Sequence, residues 1–182
     1  GAAALPRPVR PSPDAGLRTR GLSQAGGTVT ATSLIVDHIE GFTPGDISGG
    51  QLNLGTLKVA TIGTGLFTQT GGDVTITSAS TLIIGESAGS KGTYVMEGGE
   101  LDSTAANVLI GLAGTGVLIQ SGGDLIATSK SIYIGDDVTG VGEFHLNEDD
   151  GTATVATNNI IVGSNGEGLY VQTAGTASLT HM

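Results

Sequence analysis

The chain has 182 residues, of which 32 are glycine and none is cysteine, and its formal net charge at pH 7 is −10. An apolar fraction of 38% argues against a disordered chain, and the absence of cysteine excludes disulfides and thiolate metal sites. No apolar run approaches the roughly 18 residues that span a bilayer. Because aromatic residues make up only 3% of the chain, Ile, Val and Leu are expected to fill the core.

Residues 1–23 are predicted to form a separate, extended N-terminal arm. Four of the five prolines lie there, and alternating prolines favour a polyproline-like backbone. Residues 1–20 have a net charge of +3 from one aspartate and four arginines, which are Arg7, Arg10, Arg18 and Arg20. Residues 21–182 carry three lysines against sixteen acids, a net charge of −13. Such an acidic body disfavours nucleic acid and anionic membranes as partners.

From residue 24 onward the chain repeats itself. A Gly-Gly or related pair, followed by an alternating apolar run, recurs every 22–28 residues, with its second glycine at Gly27, Gly50, Gly72, Gly99, Gly123, Gly151 and Gly175. A second mark, an apolar triplet closed by glycine, keeps the same spacing at Ile62–Gly63, Ile84–Gly85, Ile110–Gly111, Ile134–Gly135 and Val162–Gly163. Each period therefore contains three short strands and no helical stripe.

Strands this short are stable only if each pairs with its equivalent one period later. The sequence therefore predicts an all-β fold, a single-stranded parallel β-helix (β-solenoid) of about six coils over residues 24–182, right-handed for coils of this length. The longest periods are expected to bulge at turns 86–91 and at 136–142 or 147–150. Small polar residues precede the apolar triplets, and we expect them to hydrogen-bond along the axis; they are Ser33, Thr81, Asn107, Ser131 and Asn159.

The repeats TQTGGDVTITSASTLIIG (68–85) and LIQSGGDLIATSKSIYIG (118–135) resemble the Gly-rich repeats of bacterial autotransporter passengers and PEP-CTERM-type exported proteins. The resemblance covers about residues 24–179 and implies a secreted, cell-surface β-solenoid with an adhesive or structural role. Since the matching positions are structural glycines, it transfers no catalytic residue. The initial Gly-Ala-Ala-Ala fits either the remainder of a removed export signal or a cloning remnant.

The densest acidic cluster pairs Asp136 and Asp137 with the turn at 147–150. Oxygen-rich turns bind Ca²⁺, but this spacing matches neither an EF-hand nor a nonapeptide calcium repeat. We interpret the cluster as solvated turns, with a Ca²⁺ site at Asp136, Asp137, Asp149 and Asp150 as the alternative; no other cofactor is predicted. Because no arginine follows Arg20 to assist paired acids, a non-enzymatic role is predicted.

The leading hypothesis is a structural subunit that stacks head-to-tail into a filament through uncapped coil ends. The basic arm would strap a neighbouring subunit, although folding back on its own coil or forming a free tail are the alternatives. The predicted subunit contacts are Arg7, Arg10, Arg18, Arg20, Leu34, Val36, Tyr170, Val171 and Leu179. The alternative function is an adhesin that binds cell-surface glycans, which aromatic residues aligned on one outer face would favour.

Overall fold

A computed structural model describes residues 17–19, 22–37, 44–79, 81–147 and 152–180. The described residues contain strands, bends and turns but no helix, and every strand pairing is parallel. The strands stack along the solenoid axis in about six successive coils. The predicted all-β solenoid is therefore confirmed.

Each complete coil contributes one strand segment to sheet B and two segments, separate or joined, to sheet A. Sheet B has seven strands: β2 (Ser23–Gln24), β4 (Gly45–Ile47), β6 (Thr64–Gln69), β9 (Lys91–Met96), β12 (Thr115–Gln120), β14 (Val141–Leu146) and β16 (Glu167–Gln172). Sheet A has ten: β1 (Leu17–Thr19), β3 (Thr28–Val36), β5 (Gln51–Val59), β7 (Asp73–Ile76), β8 (Leu82–Ile84), β10 (Glu100–Asp102), β11 (Val108–Ile110), β13 (Asp124–Ile134), β15 (Thr154–Val162) and β17 (Thr176–Leu179).

Sheet A is two segments wide. The first half contains β7, β10 and β17, and the second half contains β1, β8 and β11. The strands β3, β5, β13 and β15 run through both halves without a break, so only some coils show the three separate strands that the sequence predicts. The predicted long turns are present, since six residues separate β8 from β9 and β13 from β14, against four between β11 and β12.

Aliphatic columns fill much of the interior, as predicted. One column of sheet A runs through Leu34, Leu57, Leu82, Val108 and Ile132, all of them fully buried. Alternate residues of each strand face this core, and stacking the coils removes them from water.

The expectation that large rings stay out of the core is wrong. Phe67, Tyr94 and Phe144 are fully buried in sheet B, and the ring centroids of Phe67 and Tyr94 lie 5.1 Å apart. Gly45 pairs with Phe67, and a Cβ added at Gly45 would lie 2.8 Å from the Phe67 ring. Glycine in one coil thus makes room for the ring in the next coil.

The corner that leads out of sheet A requires a backbone with positive φ. Val59 pairs with Ile84, so Ala60 occupies the place that Gly85 takes one coil later. Its φ is 63°, and among the described residues it is the only non-glycine with a positive φ. The sequence-based assignment of this corner to Ile62–Gly63 is therefore wrong. A search for glycine passed over Ala60 because an L-residue is disfavoured in this conformation.

Candidate functional site: the two ends of the solenoid

The last described coil is open on its outer side. Among the described residues, β16 pairs only with β14 and β17 pairs only with β15. No described strand covers the second half of β15, from Asn159 to Val162. Val162 is therefore 46% exposed, whereas Ile134, its partner one coil earlier, is 0% exposed. Leu179, which pairs with the fully buried Thr157, is 59% exposed.

At the N-terminal end, the other half of sheet A is the uncovered one. There β1 covers the second half of β3, with Leu17 paired to Leu34 and Thr19 to Val36. The first half of β3 pairs only with β5 among the described residues, and its inward-facing residues Val29 and Ala31 are only partly buried. Among the described residues, the N-terminal end thus has an outer strand over the second half of sheet A and none over the first half, whereas the last coil has one over the first half and none over the second.

The structure places the predicted contact residues at different depths. Leu34 and Val36 face the core and are 0% and 4% exposed, so they lie beneath the N-terminal surface. Their main-chain edge pairs with β1 of the same chain, and Arg18 lies within that strand, opposite Ile35. The remaining arginines of the predicted set, Arg7, Arg10 and Arg20, lie outside the described residues.

The C-terminal members of the predicted set lie together on the open coil. Tyr170 and Val171 belong to β16, and Leu179 ends β17. Tyr170 is partly buried because its ring packs edge-on against Phe144, with centroids 5.4 Å apart, and burial raises the pKa of its hydroxyl. That hydroxyl donates a hydrogen bond to Gln172 Oε1 at 3.0 Å.

A glutamine occupies the end of the sheet B strand in every second coil. The column reads Gln24, Ile47, Gln69, Met96, Gln120, Leu146 and Gln172. The Nε2 of Gln69 donates to the carbonyl of Gly72 at 3.0 Å, in its own coil, and to the carbonyl of Glu100 at 2.9 Å, in the next coil. Each internal glutamine therefore joins two successive coils.

The same pair of bonds is made by two other members of the column. Gln24 Nε2 donates to the carbonyls of Gly27 and Gln51, and Gln120 Nε2 donates to those of Gly123 and Thr154. Gln172 has the bond within its own coil, to the carbonyl of Gly175 at 3.0 Å. Its side chain is exposed, because no described coil follows it to supply the second carbonyl.

Sequence reasoning missed an acidic ladder on the outer face of sheet A. Asp73, Glu100 and Asp124 pair in register on three successive coils, and Asp102 lies two residues from Glu100 on the same face. Burial, followed by the neighbouring carboxylates of Asp73, Asp102 and Asp124, raises the pKa of Glu100. The signal was present in the sequence, since an acid directly follows the second glycine of three consecutive repeats.

The described residues contain no group of three His, Cys, Asp or Glu side chains that could hold a metal ion. Of the proposed calcium ligands, Asp137 is exposed and its Oδ1 accepts a hydrogen bond from the Val138 amide at 2.7 Å. Asp149 and Asp150 lie outside the described residues, so the Ca²⁺ alternative stays a prediction.

Aromatic side chains do not line up on an outer face of the described chain. Phe67, Tyr94 and Phe144 are buried, and Tyr170 packs onto Phe144. Tyr133 is the one described aromatic on the outer side of sheet A, where it pairs with Leu109 and Ile161. The feature that would favour glycan stacking is thus absent from these residues.

A shallow open groove lies on the outer side of sheet B near the C-terminal end. It is lined by Val141, Gly142, Glu143, Glu167, Gly168 and Leu169. His145 Nε2 lies 3.0 Å from Glu143 Oε2 beside it. The groove is open along the sheet and contains no enclosed space for a ligand.

The chain matches no protein-family model, no curated protein and no solved structure. Within the described ranges, none of the secondary structure is a helix with the length and apolarity needed to cross a membrane.

Proposed function

We propose that this protein is a structural subunit of an extracellular or cell-surface assembly, in which solenoids stack head-to-tail. The observation that carries the proposal is the uncovered core of the last described coil. Val162 and Leu179 lie in columns whose side chains face the core, yet they are 46% and 59% exposed. Further inside, the same columns contain fully buried residues such as Ile134 and Leu54.

Stacking has two sources of free energy at this end. Full burial of an aliphatic side chain is worth about 1.5–3 kcal/mol, and the open coil exposes several of them. The outer edges of β16 and β17 also present main-chain groups without strand partners among the described residues, and such edges pair readily with another strand. A contact between unlike ends is heterologous, so it propagates as a filament when the rotation does not close.

The basic arm fits this arrangement electrostatically. Residues 1–20 carry a net charge of +3 and the remaining residues −13, so an arm from one subunit is attracted to the body of another. The secreted location rests on the resemblance of the Gly-rich repeats to those of exported proteins.

Sedimentation velocity and electron microscopy over a range of concentrations test the proposal. We expect concentration-dependent growth into rods whose width is that of one solenoid. Val162→Asp should abolish growth, because it places a charge in the contact, while leaving the circular dichroism of the dispersed protein unchanged.

Val138→Asp is the matched control for this variant. Val138 is 77% exposed and lies in a turn on the side of the solenoid, so the same substitution there should leave growth unaffected. Rods that form equally well with Val162→Asp, or a wild-type protein that stays monomeric at every concentration, would count against stacking through this end.

A further inference from the structure

The two ends of the solenoid are complementary half-coils. The last described coil has β16 in sheet B and β17 in the first half of sheet A, and it has no strand in the second half. The first described strand, β1, lies in the second half of sheet A, and no described strand precedes it in the first half. Among the described residues, each end thus contains the segment that the other end lacks.

We propose that the junction between stacked subunits is a shared coil, made of β16 and β17 from one subunit and β1 from the next. This inference rests on the proposed head-to-tail stacking and specifies its register. The shared strand β1 would cover the second half of β15, where Val162 is exposed. The first half of the next subunit's β3 would in turn lie on β17, covering Leu179.

The columns of the solenoid define which residues meet. In the chain itself Leu17, Arg18 and Thr19 pair with Leu34, Ile35 and Val36. Those columns continue through successive coils to Ile160, Ile161 and Val162 at the other end. In the shared coil, Arg18 of one subunit therefore lies opposite Ile161 of its neighbour. By the same continuation Thr28 lies opposite Thr176, and Gln24 lies opposite Gln172.

This register supplies the hydrogen bond that Gln172 lacks. The internal glutamines donate their second bond to the carbonyls of Gln51, Glu100 and Thr154, which occupy one column of sheet A. That column begins at Thr28, which pairs with Gln51, and ends at Thr176, which pairs with Thr154. The carbonyl that follows Thr176 in a stack is therefore that of Thr28 in the next subunit. Gln172 would donate to it as the other glutamines do within the chain.

Disulfide trapping between two single-cysteine variants tests the register, because the chain has no cysteine of its own. Arg18→Cys and Ile161→Cys are purified separately, mixed under assembling conditions and oxidised. Adjacent strands lie about 4.8 Å apart, which is within the Cα separations of about 4.4–6.8 Å that a disulfide spans. We expect a disulfide-linked heterodimer on a non-reducing gel.

Arg18→Cys mixed with Asn159→Cys is the matched control, since Asn159 lies two residues from Ile161 on the same strand. Its Cα would be about 8 Å from that of residue 18, beyond disulfide reach, so at least tenfold less crosslink is expected. Equal trapping at 159 and 161, or rods without the 18–161 crosslink, would overturn the shared coil while leaving stacking intact. A protein that never assembles overturns both.

Gln172→Glu gives a second, independent readout. Gln172 is exposed in the single subunit, so the variant should fold normally. In the stack it removes the donor to the Thr28 carbonyl and places a carboxylate there, which should weaken association by about tenfold or more. Asn53→Asp, the same change of amide to carboxylate on an internal coil, should leave association within about twofold of wild type. An unchanged association constant for Gln172→Glu would contradict the register.

Discussion

Val36 and Val162 occupy the same inward-facing column of the solenoid, five coils apart, yet Val36 is 4% exposed and Val162 is 46% exposed. The difference arises from their neighbours. Val36 has strands on both sides, β1 and β5, whereas the described residues place a strand only on the inner side of Val162. In a solenoid, the burial of a residue depends on the coil above it as much as on its own orientation.

We therefore expect the same substitution to have different costs at the two positions. Val36→Ala should lower the free energy of unfolding of the dispersed protein by about 2 kcal/mol, because it leaves a cavity. Val162→Ala should cost less than about 1 kcal/mol, since water already reaches the side chain. Urea unfolding of both variants at low protein concentration measures the difference. Equal costs would mean that Val162 is covered in the isolated subunit.

The buried pair Gln69 and Tyr94 allows a second comparison. Tyr94 Oη donates to Gln69 Oε1 at 2.7 Å, and burial raises the pKa of Tyr94 far above its ordinary value, so the hydroxyl keeps its proton. Gln69→Leu removes its acceptor and leaves the hydroxyl unpaired in the core. Gln120 makes the same main-chain bonds as Gln69, but its Oε1 has no hydrogen-bond partner among the described residues.

Gln69→Leu should therefore destabilise the fold by about 1–3 kcal/mol more than Gln120→Leu, which is the cost of a buried unpaired polar group. Adding Tyr94→Phe to Gln69→Leu should recover most of that difference, because the unpaired hydroxyl is then gone. Thermal or urea unfolding of the three variants checks the order. If the second substitution recovers nothing, the hydroxyl is paired elsewhere or solvated.

The fold could be predicted from the sequence because each coil repeats the same two signals, a Gly-Gly corner and an apolar triplet. Exceptions to the repeat were harder to predict. Ala60 replaces glycine at a corner with a φ of 63°, which a search for glycine cannot detect. The buried rings were missed because composition gives the number of aromatics but not the column in which they stack.

Less of the candidate site could be predicted. The placement of Tyr170, Val171 and Leu179 on the last described coil could be predicted from the last repeat, whereas their role as subunit contacts stays a prediction. The sequence did not predict that the two ends leave opposite halves of sheet A uncovered. The strand β1 carries no glycine mark, and its pairing with residues 34–36 is seen only in the structure. The second bond of each glutamine also joins residues 27–34 positions apart, which the repeat alone does not connect.

Corner glycines of nearly equal φ should differ in their tolerance of a side chain. Gly111 and Gly27 have φ of 71° and 74°. A Cβ at Gly111 would lie 2.2 Å from the Val141 carbonyl oxygen, whereas no atom of the described residues lies within 4 Å of a Cβ at Gly27. Gly27→Ala should cost about 1–2 kcal/mol, the conformational penalty alone. Gly111→Ala should cost clearly more, because the backbone of the next coil must move.

Urea unfolding at low protein concentration, where subunits are dispersed, measures this difference. Because both glycines have similar φ, the difference between the two costs measures close packing between coils rather than backbone conformation. If Gly27→Ala and Gly111→Ala lowered stability equally, the spacing between the coils at residues 111 and 141 would have to be larger than it is here.

The acidic ladder predicts a pH dependence of stability. The pKa of Glu100 is raised in the folded protein by burial and by the carboxylates around it. A raised pKa means that the folded state disfavours ionised Glu100. Below the ordinary carboxyl pKa, Glu100 is protonated in both states and does not lower the free energy of unfolding. As the pH rises from the ordinary pKa through the raised pKa, the ionised group lowers the free energy of unfolding, and above the raised pKa this loss is constant.

Glu100→Gln should consequently stabilise the protein at pH 7 by less than about 1 kcal/mol, since the ladder is close to solvent and water screens the charges. The gain should vanish below about pH 4, where the glutamate is protonated, and it should shrink in high salt. Glu97→Gln removes the same charge from an exposed turn outside the ladder and serves as the control. Thermal unfolding of both variants between pH 3 and 8 provides the measurement. A Glu100→Gln protein that is less stable than wild type at pH 7 would show that the ladder is compensated by cations or by hydrogen bonds.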